Sequence, residues 1–172
     1  MKRRQAIQNI ALITSGIALM PACNFENAPV FENVPLERGQ WTLIEQLTGA
    51  ILPKGELEIT TPESTPQYVL TMLNDCYGPE DIQQYLAGIK AFQKHLKEKH
   101  GSSFAKLDSE QQMAALEGIG NAESTPEELQ YFLSTTKRLT VRHFTTSEYF
   151  MTNYLDFEFA PARFNGCVAV ES

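Results

Sequence analysis

Apolar residues recur at intervals of three and four from residue 41 onward, which is the period of an amphipathic helix. The pattern predicts four helices of ordinary length, over residues 41–52, 65–77, 79–100 and 109–119. Glycines and prolines stand at most of the predicted ends, and Asp108 is a predicted cap for the fourth helix. No alternating pattern of the kind that predicts strands stands out, and no internal repeat is present.

The longest apolar stripe lies near the C-terminus, over residues 126–154, with Thr125 as its predicted cap and Pro126 at its first helical position. Residues 145–152 differ from the rest because they cluster hydroxyls, a carboxylate and an aromatic ring beside an Arg. A core does not need so much polar chemistry. The sequence therefore predicts an all-α fold, a single helical bundle of about five helices with an irregular aromatic C-terminal tail.

Composition narrows the class of protein. A chain of 172 residues, 42% of them hydrophobic, can form one core and one domain. The formal net charge is -7. An acidic chain is a poor partner for nucleic acid, so we set nucleic-acid binding aside.

The first 22 residues are expected to be an export signal rather than part of the fold. Arg3 and Arg4 precede an apolar run over residues 7–20, which is short for a membrane span, and together they resemble a twin-arginine signal. Met20-Pro21-Ala22-Cys23 resembles the cleavage box of lipoproteins, which predicts lipidation of Cys23. The alternatives are an ordinary cleaved signal with a leftover cysteine and, more weakly, a cytosolic amphipathic helix.

This signal divides the chain into three parts and predicts a compartment. Residues 23–40 contain Pro, Asn and Glu without a sustained period, which indicates a tether, and residues 41–172 form the helical domain. The predicted location is the periplasmic side of the cell envelope, with a lipid anchor.

In an oxidising compartment, Cys76 and Cys167 are a candidate disulfide that would stabilise the fold by about 4 kcal/mol in the chain-entropy model. Two buried free thiols are the alternative.

Motifs that hold cofactors are missing from the sequence. It contains no glycine-rich loop for a dinucleotide or a phosphate, no haem-attachment motif and no Cys/His cluster with metal-ligand spacing. His95 and His100 lie among lysines and are interpreted as a solvated helix end. His143, near Glu148, is the one acid–base candidate, although a buried structural histidine is the more common role.

The C-terminal block carries a resemblance to the gluconate 2-dehydrogenase subunit 3 family. The positions that match the family's pattern are Leu139-Thr140, Phe144, Thr146-Ser147-Glu148, Leu155, Phe157, Pro161 and Phe164-Asn165-Gly166-Cys167. The end of the first helix, Ala50-Ile51-Leu52-Pro53, is also similar to a family element. The chain departs from the pattern twice: His143 stands where a Gly is usual, and Ala162 follows Pro161 where a Gly is common. Both departures concern the local backbone, because Ala adopts a positive φ less readily than Gly.

The resemblance implies a small non-catalytic subunit that escorts, exports and stabilises a larger enzyme. The implied partner is a flavoprotein of the glucose-methanol-choline oxidoreductase type that oxidises gluconate or another sugar and carries FAD, often with a multi-haem cytochrome c subunit. This chain itself would hold no cofactor. We expect the partner to contact the aromatic C-terminal region, because aromatic side chains beside an Arg are typical interface anchors. The predicted interface residues are Phe144, Ser147, Glu148, Tyr149, Phe150, Tyr154 and Phe164.

The sequence is also compatible with three alternatives. The same aromatic residues could instead close the core of the chain itself. A stand-alone lipid-anchored scaffold or binding protein is the second hypothesis, favoured by the two departures and by the acidic composition. A small hydrolase or redox enzyme using His143 with Glu148, or the two cysteines, is the third.

Overall fold

The computed structural model describes residues 30–52, 61–120, 125–155, 157, 158, 160 and 162. The part of the chain that it describes contains α-helices and no strands, which confirms the predicted all-α fold. In chain order the elements are α1 (Gln40–Ile51), α2 (Thr65–Cys76), α3 (Pro79–His100), a 3₁₀ turn (Phe104–Lys106), α4 (Ser109–Gly120), α5 (Glu127–Thr145) and α6 (Glu148–Tyr154).

The first four helices begin and end close to where the apolar pattern places them. α3 ends at His100 and Gly101 is its C-cap, with a left-handed φ of 65° and a backbone N–H that donates to the Lys97 carbonyl at 3.1 Å. α4 begins with a reciprocal cap. The Asp108 carboxylate accepts from the Gln111 N–H at 2.8 Å, while the Gln111 side-chain oxygen accepts from the Asp108 N–H at 3.2 Å. Local sequence therefore accounts for these boundaries.

The long C-terminal stripe is two helices rather than one. α5 ends at Thr145 and α6 begins at Glu148, with Ser147 as the N-cap between them. The predicted start also shifts by one residue, since Pro126 is the N-cap of α5 and the Thr125 hydroxyl donates to the Ile119 carbonyl of α4 at 3.0 Å. Thr125 therefore joins two helices instead of capping one.

The antiparallel pair of α3 and α5 forms the centre of the bundle. Gly88 of α3 faces the Glu128 carbonyl and the Phe132 side chain of α5 so closely that a Cβ at this position would lie under 3.0 Å from both. Tyr85, Phe92 and Phe132 pack around this contact with ring centroids 5.0–5.7 Å apart, and all three are fully buried. The absence of a side chain at Gly88 is what lets the two helices approach.

The chain before α1 packs against the bundle. Val34 is buried in the core, and Asn33 bonds both the side chain and the carbonyl of Asn74 on α2, at 2.8 and 3.0 Å. Glu37 pairs with Lys90 of α3 at 2.7 Å. The described part of the predicted tether is thus attached to α2 and α3, because Val34 supplies core surface. The remainder of the tether lies outside the described residues.

Candidate functional site

The junction between α5 and α6 is built by Ser147. Its hydroxyl accepts from the Phe150 N–H at 3.3 Å, and it donates to the Phe144 carbonyl at 2.6 Å. The first bond satisfies an otherwise unpaired N–H in the first turn of α6, and the second satisfies a carbonyl in the last turn of α5. One side chain therefore ends one helix, starts the next and sets the direction in which α6 leaves.

The geometry of this junction brings four aromatic rings into contact. Phe144 of α5 meets Phe150 of α6 edge to face at 5.3 Å, and Phe150 stacks on Tyr154 at 5.3 Å. Tyr149 meets Tyr154 at 6.1 Å, also edge to face. These spacings lie in the range where aromatic pairs stabilise each other, so the rings hold α6 against the end of α5.

The outer side of this cluster is exposed. None of the seven residues of α6 is buried, and Tyr154 is 59% exposed. Leu155 and Phe157 follow it with 55% and 47% of their surface exposed, and the Phe157 N–H donates to the Met151 carbonyl at 3.0 Å. We call Tyr149, Phe150, Tyr154, Leu155 and Phe157 the α6 surface. Tyr149 and Phe150 of this surface are half-buried, whereas the bundle leaves Tyr154, Leu155 and Phe157 exposed. Large exposed side chains grouped in this way mark interaction sites.

The predicted interface residues take different places here. Phe144, Tyr149, Phe150 and Tyr154 lie together, and Glu148 is exposed in the first turn of α6, where its charge suits the helix dipole. Ser147 is 1% exposed, and its hydroxyl is occupied by backbone groups of this chain, so its role is to shape the junction. Phe164 lies outside the described residues.

His143 lies one turn before this junction and is buried, with 2% of its surface exposed. Its Nε2 is 3.1 Å from the Thr61 hydroxyl, and its Nδ1 is 3.1 Å from the Thr65 hydroxyl. The ring also stacks on Tyr68 of α2, with centroids 4.6 Å apart and planes 25° apart. His143 thus joins the end of α5 to the start of α2 and the segment before it.

The bonding pattern determines which nitrogen carries the proton. The Thr61 hydroxyl donates to the Glu63 carbonyl at 2.8 Å, so it can only accept from His143. Nε2 is therefore the protonated nitrogen of a neutral ring, and Nδ1 accepts from Thr65. Burial lowers the pKa of His143 below its usual value, and the negative charge of Glu63 offsets part of that effect.

This arrangement favours the structural role of His143 over the acid–base role. Both ring nitrogens have partners within the chain and the ring is packed between two helices, so neither nitrogen is presented to a substrate. The partners were not predicted, because Thr61 and Thr65 lie 82 and 78 residues away along the chain. No local pattern relates such distant residues.

Comparison with known families agrees with the resemblance carried by the C-terminal block. The family model described as gluconate 2-dehydrogenase subunit 3 matches residues 38–166, which is most of the chain. The protein belongs to the gluconate 2-dehydrogenase subunit 3 family. That description implies a complex with other dehydrogenase subunits. Comparisons with curated proteins and with solved structures found no match.

The matched range of this subunit 3 chain includes the six α-helices that the structure describes. The two departures from the family pattern have distinct structural settings. His143 fills the space between α5 and α2 where a Gly would leave it open, and Ala162 has a φ of 46° in the left-handed region. A position where Gly is common thus keeps the backbone shape that Gly adopts easily, although an Ala occupies it.

Several predicted sites fall on residues that are not described. Arg3, Arg4, Cys23 and Cys167 all lie outside the described ranges, so export, lipidation and the disulfide stay predictions. Cys76 is exposed at the end of α2.

Two open grooves lie elsewhere on the surface. One, of about 700 Å³, lies between α1, α4 and α5, and its lining includes Ile51, Met113, Leu116 and Leu133 beside polar residues. The other, of about 630 Å³, lies beside the 3₁₀ turn. Within the described ranges no three His, Cys, Asp or Glu residues are grouped so that they could hold a metal ion. None of the helices described there has the length and apolarity needed to cross a membrane.

Proposed function

We propose that this chain is a non-catalytic small subunit that escorts, exports and stabilises a flavin-dependent gluconate or sugar dehydrogenase in the cell envelope. The observation that carries the proposal is the α6 surface, in a protein that belongs to the subunit 3 family. Large apolar side chains that a small bundle leaves uncovered gain free energy when a partner covers them. The proposed partner is a flavoprotein of the glucose-methanol-choline type that carries FAD, and a multi-haem cytochrome c is a further proposed subunit.

The geometry of α6 supports this assignment in a specific way. A helix of seven residues with no buried side chain contributes little to the core. Its stability comes from the Ser147 cap and from ring contacts with Phe144. These contacts fix the orientation of Tyr154 while leaving its outer face free of the bundle. Rigid aromatic side chains that are already ordered lose little entropy when they bind, which is typical of interface anchors.

The N-terminal residues supply the export half of the proposal. A twin-arginine signal carries folded proteins, and a chain with such a signal could bring a cofactor-loaded partner with it. In this scheme Arg3 and Arg4 direct export, Cys23 takes the lipid anchor, and the complex resides on the periplasmic side.

The first test is to purify the tagged chain from detergent-extracted native membranes, record a flavin spectrum and identify co-eluting chains by mass spectrometry. We expect a large flavoprotein in near-equal amount. A colourless chain that elutes alone would contradict the proposal and support a stand-alone lipid-anchored scaffold instead.

A second test assigns the interface. The variant Tyr154→Ala with Leu155→Ala and Phe157→Ala removes the three exposed side chains of the α6 surface, and we expect it to lose at least tenfold of the co-purified flavoprotein. Met113→Ala on α4 is the matched control, because Met113 is also apolar and 49% exposed. Equal recovery from both variants would place the interface elsewhere. Circular dichroism of each variant checks that the bundle is intact.

A further inference from the structure

The hydrogen bonds between His143 and the start of α2 depend on the protonation state of the imidazole. The ring is held by two hydroxyls and one aromatic face, and its only bonded nitrogen proton points to Thr61. A second proton, on Nδ1, would face the Thr65 hydroxyl, which donates to that nitrogen in the neutral state. Protonation therefore breaks the pattern unless Thr65 reverses its hydrogen bond.

The surroundings disfavour a cation at this position. Thr65 is the first residue of α2, so the ring lies at a helix N-terminus, where the helix dipole is positive. The described charged group that acts on the ring is Glu63, in the segment before α2. From α2 itself the ring meets Tyr68, and the sequence neighbours Arg142 of α5 and Glu148 of α6 are exposed. Burial outweighs the attraction of Glu63.

We propose that His143 is a pH-sensitive latch, which holds residues 61–68 against the end of α5 while the imidazole is neutral and releases them when it is protonated. The latch consists of His143, Thr61, Thr65 and Tyr68. Release also affects the α5–α6 junction, because Phe144 and Ser147 lie within one turn of His143 and bond each other there. Weaker binding of the partner in acid is a consequence that rests on the proposed function.

Because proton binding and folding are linked, the lowered pKa of His143 makes the folded protein less stable in acid. The folded protein holds its His143 proton less tightly than the unfolded chain, whose histidine titrates near pH 6.5. The stabilisation is therefore fully present above about pH 6.5 and is lost as the pH falls through the lower pKa of the folded state. We expect the urea midpoint of the full chain to fall between pH 7.5 and pH 5.

The decisive measurement is an NMR titration of His143 in the full chain, once folded and once unfolded in urea. We expect His143 to titrate at lower pH in the folded chain than in the unfolded chain. Thr65→Val removes the hydroxyl that donates to Nδ1 of the neutral ring, so it should raise the midpoint of His143. Thr61→Val removes an acceptor that the charged ring needs more, so it should lower that midpoint. Shifts of the two variants in the same direction, or a His143 midpoint that is the same in the folded and the unfolded chain, would overturn the proposal.

Two further variants separate the latch from general acid sensitivity. His143→Gln should lose most of the drop in urea midpoint, whereas His95→Gln should keep it. Hydrogen exchange of peptides over residues 61–68, corrected for the intrinsic pH dependence, should rise in acid in the wild type only. If His143→Gln does not fold, the two threonine variants still decide the question. None of these measurements needs the partner, so failure of the proposed complex would leave them valid.

Discussion

The two halves of α5 are packed by different chemistry. In the first half, Phe132 meets Gly88 and the rings of α3, and Leu129 is buried in the same apolar core. In the second half, the buried side chains include Thr136, Thr140 and His143. The same helix thus changes from an apolar face to a largely polar one within three turns.

The apolar and the polar half of α5 contribute to the fold in different ways. Apolar contacts stabilise in proportion to buried area and tolerate some repacking. A buried polar side chain stabilises the one arrangement in which it meets its partners, as Thr136 and His143 do, whereas the buried Thr140 hydroxyl meets none in the described part of the chain. The Tyr85 and Thr136 hydroxyls bond each other at 2.9 Å, and Thr136 donates to the Phe132 carbonyl at 2.8 Å. Burial raises the pKa of Tyr85, so it stays a neutral donor. We infer that the first half holds the bundle together and the second half determines how α2 and α6 sit on it.

The largest expected effect comes from the apolar half. Phe132→Ala removes a fully buried ring that contacts Tyr85 and Phe92, and we expect the free energy of unfolding to fall by about 3–5 kcal/mol. Tyr154→Ala removes a ring of similar size that is 59% exposed and should cost less than about 1 kcal/mol. Urea denaturation of both variants measures the difference. Equal losses would mean that α6 belongs to the core.

The close approach of α3 and α5 can be tested at Gly88. Gly88→Ala places a Cβ against the Glu128 carbonyl, which is backbone and cannot move aside, so we expect a loss of about 2–3 kcal/mol. The control is Gly49→Ala in α1, where a Cβ meets nothing within 4 Å and should stabilise the helix by about 0.5–1 kcal/mol. A neutral Gly88→Ala would show that the two helices can separate cheaply.

Loss of the Ser147 cap should affect only the α5–α6 junction and not the rest of the bundle. Ser147→Ala removes the cap of α6, which costs about 1 kcal/mol. Hydrogen exchange of the Phe150 and Met151 amides should then accelerate about fivefold, since 1 kcal/mol corresponds to that factor. Ser134→Ala removes an exposed hydroxyl that bonds the Tyr131 carbonyl within α5, and serves as the control. If exchange changes throughout the bundle instead, the two halves of α5 are not separable.

The smallest effect concerns the tail. Ala162→Gly removes the cost of a left-handed backbone at an Ala, which is about 1–2 kcal/mol. The greater freedom of Gly in the unfolded chain offsets about 0.5–1 kcal/mol of that gain. We expect a net gain of about 0.5 kcal/mol in thermal or urea unfolding. Ala160→Gly is the control and should only destabilise, because Ala160 has no positive φ. A loss in both variants would indicate that the left-handed backbone at Ala162 costs the folded state little.

Much of this architecture could be predicted from sequence because helices depend on neighbours along the chain. The apolar period placed α1 to α4 within about two residues, and Asp108 and Gly101 marked their ends. The same reasoning merged α5 and α6, because the stripe continues through Ser147 without a Gly or Pro to interrupt it. It also gathered four of the aromatic interface candidates, since these are close in sequence.

Contacts between distant segments were beyond that reasoning. Gly88 reads as an ordinary helix glycine until α5 is placed against it, and Val34 reads as part of a tether until its side chain is found in the core. Along the sequence, Thr61 and Thr65 are ordinary loop and helix-start residues, and only the tertiary structure shows that both hydroxyls bond His143. The sequence by itself determined which segments are helices, because each turn bonds within itself. Only the tertiary structure decided which faces meet, because packing joins side chains that no local period relates.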